Sequence, residues 1–182
     1  KLRQLCLDPS IVVKDYNKKS SKIETCLEIL RDSINENHKI LLFSQFTSVL
    51  KNISKELDKY KIKYHYIDGK TNAKERLELV DEFNNSMDKK VFLISLKAGG
   101  TGLNLTSADM VIHFDPWWNP SVENQASDRA HRFGQKNSVQ VIKLIAKGTI
   151  EEKIIKLQES KKELINQFIN GELSNEGVLK SL

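Results

Sequence analysis

Several features that mark particular protein classes are scarce in this sequence of 182 residues. It has only 2 cysteines, Cys6 and Cys26, at a spacing that fits neither a metal site nor a redox motif, so we expect two thiols rather than a disulfide. No apolar run is long enough to span a bilayer, and the chain opens with no signal-peptide pattern. With 39% hydrophobic and 29% charged residues and only 3 prolines, the composition is typical of an intracellular globular domain.

Signatures of self-contained catalysis are also missing. The 4 histidines are scattered, and no nucleophile with a neighbouring base and no pair of acids for metal binding is recognisable. Gly69-Lys70-Thr71 resembles the end of a Walker A phosphate loop, but Tyr64 holds the position where that loop should begin with glycine. We therefore interpret this segment as a tight turn that leads into a helix.

Arginine is rare, although the chain carries 29 basic residues and a net charge of +5. The arginines are Arg3, Arg31, Arg76, Arg129 and Arg132. In a helix, Gln125, Arg129 and Arg132 would share one face, and a planar fork that is always charged suits phosphate binding in a fixed geometry. The same spacing also fits a solvated face with Glu123 and Asp128 as salt-bridge partners, so spacing alone leaves both interpretations open.

Short apolar runs alternate with amphipathic segments along the chain. The predicted strands are 40–43, 64–67, 91–95, 110–114 and 139–146. After a short helical piece that stops at Pro9, the predicted helices are about 21–34, 47–59, 72–83, 120–133 and 149–169. Three of these helices open with capping-box patterns, which are Ser21 with Glu24, Asn72 with Glu75 and Thr149 with Glu152. The alternation predicts an α/β fold with a parallel sheet covered by helices on both sides.

Chemically unusual loops follow four of the predicted strands. They are Ser44-Gln45, 68–71, 97–104 and 115–120. Right-handed crossovers place such loops along one edge of the sheet, where ligands bind. The glycines at 99, 100 and 102 allow a close approach to a phosphate, or form a flexible connection. Trp117 and Trp118 can pack as a core lid or stack on a base, and we expect one in each role.

Read together, these segments resemble the second RecA-like lobe of the Swi/Snf-type DNA-translocating ATPases of helicase superfamily two. The resemblance runs from about residue 22 to 169. LLFSQFT (41–47) resembles motif IV, SLKAGGTGLNL (95–105) motif V and ENQASDRAHRFGQ (123–135) motif VI, while IDGKT and DPWWNP resemble two further elements. It implies a RecA-like three-layer sandwich with a mostly parallel sheet and a long C-terminal helix. Leu96 and Lys97 depart from the threonine and arginine of many members, which puts a bidentate phosphate contact in doubt.

The resemblance also implies roles for individual residues. ATP with Mg²⁺ would lie between two lobes, with the Walker A and DExH residues on a first lobe, since neither occurs in this chain. Arg129 and Arg132 would be arginine fingers, with Gln125 and Gly102 at the nucleotide. The implied DNA-binding residues are Ser44, Gln45, Ser95, Lys97, Gly99, Gly100, Asn104 and Trp118. Trp118 would enter the minor groove, while Trp117 packs.

We therefore predict the second motor lobe of an ATP-dependent translocase on double-stranded DNA, inactive without its first lobe. The alternatives are a strand-separating helicase lobe and a non-catalytic DNA-binding or scaffold domain. Expected partners are double-stranded DNA, the first lobe and a DNA-bound protein cargo. We expect a lead-in at 1–21, the lobe at 22–148, the C-terminal helix at 149–170 and a tail at 171–182. The expected location is the cytoplasm or nucleoid, or the nucleus in a eukaryote; the compact chain favours a bacterial or archaeal source.

Overall fold

The structure, a computed structural model, describes residues 1–99, 103–119 and 138–169. Within these residues the elements follow in the order α1 (Leu2–Leu7), a 3-10 helix (Pro9–Ile11), α2 (Ser21–Asn35), β1 (Ile40–Ser44), α3 (Thr47–Lys59), β2 (Tyr64–Ile67), α4 (Ala73–Asn85), β3 (Val91–Ser95), α5 (Leu96–Gly99), β4 (Met110–His113), β5 (Gln140–Lys143) and α6 (Ile150–Ile169).

The five strands form one sheet in the order β2-β3-β1-β4-β5, and every pairing in it is parallel. The central strands β1, β3 and β4 are buried along their whole length, as expected for strands that are covered on both faces. Ser44 is aligned with Ser95, so the ends of β1 and β3 lie side by side at the carboxyl edge. The predicted parallel sheet is confirmed.

Helices cover both faces of this sheet because side chains alternate along each strand. Leu42 and Leu93 face the layer formed by α2 and α3, in a core cluster that also contains Leu7 from α1. Phe43 and Phe92 face the opposite layer, where Val80 and Phe83 of α4 and the short α5 pack. This arrangement is the predicted three-layer sandwich.

The long C-terminal helix α6 packs against α1 through its first half. Glu151, Ile154 and Gln158 are buried there at helical spacing, whereas residues 159–167 are exposed. No helix in the described ranges is long and apolar enough to cross a membrane.

Most predicted boundaries agree with the structure to within two residues, and the following differences are informative. The side chain of Ser20, rather than Ser21, caps α2, since its Oγ accepts from the backbone N–H of Ile23 at 3.4 Å. β4 ends at His113, one residue earlier than predicted, and α5 lies where a loop was predicted. β5 covers only 140–143 instead of 139–146, because it is a partly exposed edge strand with one neighbour. The predicted arginine helix at 120–133 lies outside the described residues.

Two predicted helix starts are confirmed by side-chain contacts. Asn72 Oδ1 accepts from the backbone N–H of Glu75 at 2.9 Å at the start of α4. Thr149 Oγ1 accepts from the backbone N–H of Glu151 at 3.2 Å at the start of α6. Each contact satisfies a backbone donor that has no partner within its own helix.

The buried thiol of Cys26 gives a pH-dependent prediction. Burial raises the pKa of Cys26 from its ordinary 9.0 to about 12, so the folded chain holds this proton more tightly than the unfolded chain does. Its contribution to stability is therefore lost as the pH rises from about 9 to about 12. At pH 8 we expect a thiol reagent to label the half-buried Cys6 first and Cys26 only on unfolding. In a Cys6→Ser variant, only Cys26 can react with the reagent. Rapid labelling of this variant without denaturant would contradict the prediction.

Candidate functional site

The carboxyl ends of β1, β3 and β4 meet at one edge of the sheet, and Asp115 is the centre of the contacts there. This carboxylate lies two residues after the end of β4 and is 1% exposed. It accepts from Ser44 Oγ at 2.5 Å and from the side-chain and backbone N–H groups of Gln45. Burial raises the pKa of Asp115, and the hydrogen bonds from Ser44 and Gln45 oppose that shift by stabilising the ionised form. The segments LLFSQFT and DPWWNP are joined through this residue.

Arg3 reaches the same edge from α1. Its Nη1 donates to Gln45 Oε1 at 2.9 Å, and its Nη2 donates to the carbonyl oxygen of Pro116 and lies 3.8 Å from Asp115 Oδ2. The guanidinium carbon lies over the ring of Phe46 and over that of Trp118, 5.6 Å from each centroid. Burial lowers the pKa of Arg3, while the charge of Asp115 raises it. Such a site, with planar stacking and several acceptors, is suited to arginine rather than lysine.

A second buried ion pair lies beside this one. Lys22 Nζ donates to Glu151 Oε2 at 2.6 Å, and the two side chains are 8% and 1% exposed. The same Glu151 oxygen accepts from the backbone N–H of Ala146 at 2.8 Å, and Lys22 lies 5.2 Å from the ring centroid of Phe114. Burial lowers the pKa of Lys22, and the charge of Glu151 opposes that shift. We call Arg3, Lys22, Asp115 and Glu151 the buried charge cluster.

The structure brings several of the predicted DNA-binding residues to this edge but does not expose all of them. Ser44 and Ser95 are 0% and 3% exposed, and the hydroxyl of Ser44 is bonded to Asp115. The Gln45 amide is bonded on one side to Asp115 and on the other to Arg3. Ser44 and Gln45 thus link β1 to the segment after β4 through Asp115. The contacts of Ser44, Gln45 and Ser95 with the DNA backbone stay predictions.

Lys97, Gly99 and Asn104 differ in position. Lys97 is exposed on α5. Gly99 is buried, and a Cβ atom there would lie 3.0 Å from Cε1 of Phe43, so packing alone accounts for this glycine. Asn104 is not brought to the carboxyl edge. Its carbonyl oxygen accepts from Asn84 Nδ2 at 2.9 Å, near the end of α4 that adjoins the amino ends of the strands.

The two tryptophans separate as predicted in their packing. Trp117 packs against the core cluster on the α4 face, and its carbonyl oxygen accepts a hydrogen bond from Gln158 of α6. Trp118 is 45% exposed, and its ring contacts Arg3. An exposed large aromatic at a ligand-binding edge is suited to stacking on a base or entering a groove. The remaining predicted site residues lie outside the described residues: Gly100, Gly102, Gln125, Arg129 and Arg132.

Sequence reasoning missed the buried charge cluster. Asp115 lies within the quoted DPWWNP segment, directly after a predicted strand, so its position at the edge was available as a signal. Arg3 is one of the few arginines in a lysine-rich chain. Nothing in the local pattern around Lys22 or Glu151 distinguishes them from surface charges.

Comparisons with known proteins agree with this geometry. The family model described as the helicase conserved C-terminal domain matches residues 21–134. A solved structure, the crystal structure of the C-terminal part of the Fun30 ATPase domain, superposes with a TM-score of 0.74 at 37% sequence identity. That comparison covers 86% of this chain and 53% of the Fun30 chain.

Curated proteins from distant organisms are also similar. An uncharacterized ATP-dependent helicase of Mycoplasma pneumoniae is 46% identical over 169 residues, which cover 93% of this chain and 16% of the relative. The SWI/SNF-related matrix-associated actin-dependent regulator of chromatin subfamily A containing DEAD/H box 1 of Xenopus tropicalis is 44% identical over 88% of this chain and 16% of its own length. The putative ATP-dependent helicase/translocase YwqA of Bacillus subtilis is 40% identical over 94% of this chain and 19% of its own length. The chain thus spans less than a fifth of these relatives.

Proposed function

This chain belongs to the helicase conserved C-terminal domain family, and from that premise we propose that it is the second motor lobe of an ATP-dependent translocase on double-stranded DNA. The predicted resemblance to the Swi/Snf-type ATPases is confirmed by relatives that carry SWI/SNF-related names and by the fold shared with the Fun30 ATPase domain. Relatives named as ATP-dependent helicases support ATP use by the full-length protein.

One observation supports the DNA-facing role most directly. The hydrogen bond between Gln45 and Asp115 joins the motif IV segment to the DPWWNP segment at the carboxyl edge, and Trp118 faces outwards beside that junction. A motor lobe that follows a duplex needs such a protruding group on a rigid base, because a loose contact would not transmit a step of the lobe to the DNA. We propose that Trp118 enters the minor groove and that Lys97 and Gly100 contact the DNA backbone.

The nucleotide would bind at the interface with the first lobe. We propose that Arg129 and Arg132 stabilise charge on the γ-phosphate, and that Gln125 and Gly102 contact the nucleotide. The described residues contain no group of three or more His, Cys, Asp or Glu side chains that could hold Mg²⁺. Asp115, the buried carboxylate at this edge, is already engaged by Ser44, Gln45 and Arg3. We therefore place the Mg²⁺ ligands on the first lobe.

The proposed partners are the first lobe of the same protein, double-stranded DNA and a DNA-bound protein cargo. The proposed division keeps 1–21 as a lead-in, 22–148 as the lobe, 149–170 as the C-terminal helix and 171–182 as a tail.

Movement along DNA would come from opening and closing of the cleft between the lobes, while each lobe holds the DNA backbone in turn.

The decisive experiment compares ATP hydrolysis by the full-length protein and by these 182 residues alone, with and without duplex DNA. We expect DNA-stimulated turnover from the full-length protein and none from the isolated chain, because half of the ATP site is supplied by another lobe. DNA-stimulated turnover by the isolated chain would overturn the proposed division of the site. Translocation by the full-length protein is measured separately, as the displacement of a third strand from a DNA triplex.

A strand-separating helicase is the second candidate, because several relatives carry the name helicase. Unwinding of a tailed duplex by the full-length protein would support this candidate over translocation without unwinding. A non-catalytic DNA-binding or scaffold domain would show no nucleotide dependence in either assay.

Trp118→Ala tests the DNA contact separately. We expect it to raise the half-saturating DNA concentration in the ATPase assay about 10-fold, since stacking on a base contributes about 1–3 kcal/mol. The KM for ATP should stay the same. Tyr60→Ala is the matched control, because Tyr60 is 48% exposed, much like Trp118, but lies at the end of α3. An unchanged DNA response in Trp118→Ala would assign this tryptophan to packing.

A further inference from the structure

Arg3 connects the start of the chain to the exposed tryptophan. Its side chain is 16% exposed, and its guanidinium lies over the rings of Phe46 and Trp118. Hydrogen bonds to Gln45 and to the carbonyl oxygen of Pro116 fix the plane of the guanidinium. One face of the Trp118 indole therefore rests on a side chain that is oriented by Phe46, Gln45 and the carbonyl oxygen of Pro116.

The helix that carries Arg3 is itself held firmly. Leu7 is fully buried in the core, and its carbonyl oxygen accepts from Ser20 Oγ at 2.7 Å. Asp8 caps the following 3-10 helix, and its Oδ2 accepts from Asn52 of α3 at 2.7 Å. The carboxyl end of α1 is thus joined to the start of α2 and to the middle of α3, and Arg3 projects from a rigid support.

The other tryptophan is held by contacts with α6 and the core. The backbone of Trp117 is bonded to Gln158 of α6, and its ring packs against the core. The Trp118 ring, by contrast, lies beneath the guanidinium of Arg3. The position of the indole is consequently coupled to α1, which carries Arg3.

We propose that Arg3 is a positioning residue that presents Trp118 to DNA, so that a shift of α1 changes the DNA contact. This inference rests on the proposed function, since it needs Trp118 to touch DNA. Arginine is required because lysine cannot stack on two rings and donate to Gln45 and Pro116 at once. A segment that precedes α1 would then act on DNA affinity through this helix without touching DNA itself.

The test is a double-mutant cycle in the full-length protein, with the half-saturating concentration of duplex DNA for ATPase stimulation as the readout. Arg3→Ala should raise this concentration about 3- to 10-fold in the presence of Trp118 and by less than about 2-fold in the Trp118→Ala background. The effect of Arg3→Ala on the KM for ATP should not depend on whether Trp118 is present. The part of the tryptophan emission that is lost in Trp118→Phe belongs to Trp118. Acrylamide should quench this part more strongly in Arg3→Ala.

Arg31→Ala is the matched control, because Arg31 also lies over an exposed aromatic ring, 5.2 Å from the centroid of Tyr60. Arg31→Ala should change neither the half-saturating DNA concentration nor the acrylamide quenching of Trp118. If Arg3→Ala does not fold, Arg3→Lys keeps the charge beside Asp115 and removes the planar stacking; the same two changes are expected from it.

The outcomes separate this inference from the proposed function. An unchanged half-saturating DNA concentration in Trp118→Ala overturns the proposed DNA contact and the positioning role with it. A raised half-saturating DNA concentration in Trp118→Ala supports the DNA contact. If the Arg3 variant then has no effect, or has the same effect with and without Trp118, the contact stays in place but the positioning role is overturned. Normal quenching of Trp118 in both Arg3 variants also overturns it.

Discussion

Substitution of Arg132 by alanine in the full-length protein is expected to lower the DNA-stimulated ATPase rate by about 10³-fold or more. An arginine finger supplies positive charge where the transferred phosphoryl group develops negative charge. The affinity for duplex DNA should stay nearly the same, because the proposed DNA contacts involve other residues. Arg129→Ala should have the same kind of effect. The measurement is steady-state ATP hydrolysis with saturating DNA, together with a direct DNA-binding titration.

Two variants sharpen this experiment. Arg132→Lys keeps the charge but loses the bidentate fork, and we expect it to remain strongly impaired. Arg31→Ala removes an exposed arginine that stacks on Tyr60, and it should turn over ATP normally. Normal turnover in Arg132→Ala would show that the finger role is wrong. Loss of DNA binding together with turnover would instead indicate a DNA-facing arginine.

Substitution of Lys22 by alanine is expected to lower the free energy of unfolding by about 3–5 kcal/mol. Glu151 would then remain as a carboxylate that is 1% exposed and has lost its cation. Its other oxygen, Oε1, has no hydrogen-bond partner among the described residues, so no hydrogen bond at that oxygen offsets the loss of the lysine. The measurement is urea denaturation, with the slope compared between variants to verify that the same surface is exposed on unfolding.

Double substitution identifies the origin of this loss. In Lys22→Met with Glu151→Gln, the buried charges are removed, but the side chain at 151 still accepts from the backbone N–H of Ala146. We expect this protein to regain most of the stability. The control is Lys59→Ala, which breaks an equally short but exposed pair with Glu56 and should cost less than about 1 kcal/mol. Similar losses from Lys22→Ala and Lys59→Ala would contradict the expected penalty for a buried unpaired charge.

Apolar periodicity and helix-cap signals predicted the layers of this lobe well. The strand Val91–Ser95 and the helix Thr47–Lys59 have the predicted bounds, because their apolar spacing and their ends are local properties. The edge strand Gln140–Lys143 was predicted too long, since its exposure follows from having only one neighbour in the sheet. The bonds that Ser44 and Gln45 make to Asp115 could not be predicted, because Asp115 lies about 70 positions further along the chain.

The sequence by itself determined the alternation of strands and helices, the parallel sheet and the family, because each depends on residue types at short and regular spacings. Only the tertiary structure decided which charges are buried together. Lys22 and Glu151 are 129 positions apart, and Arg3 and Asp115 are brought together by the packing of α1 against the sheet. A buried charge has the same local pattern as a surface charge, and its partner is chosen by the fold.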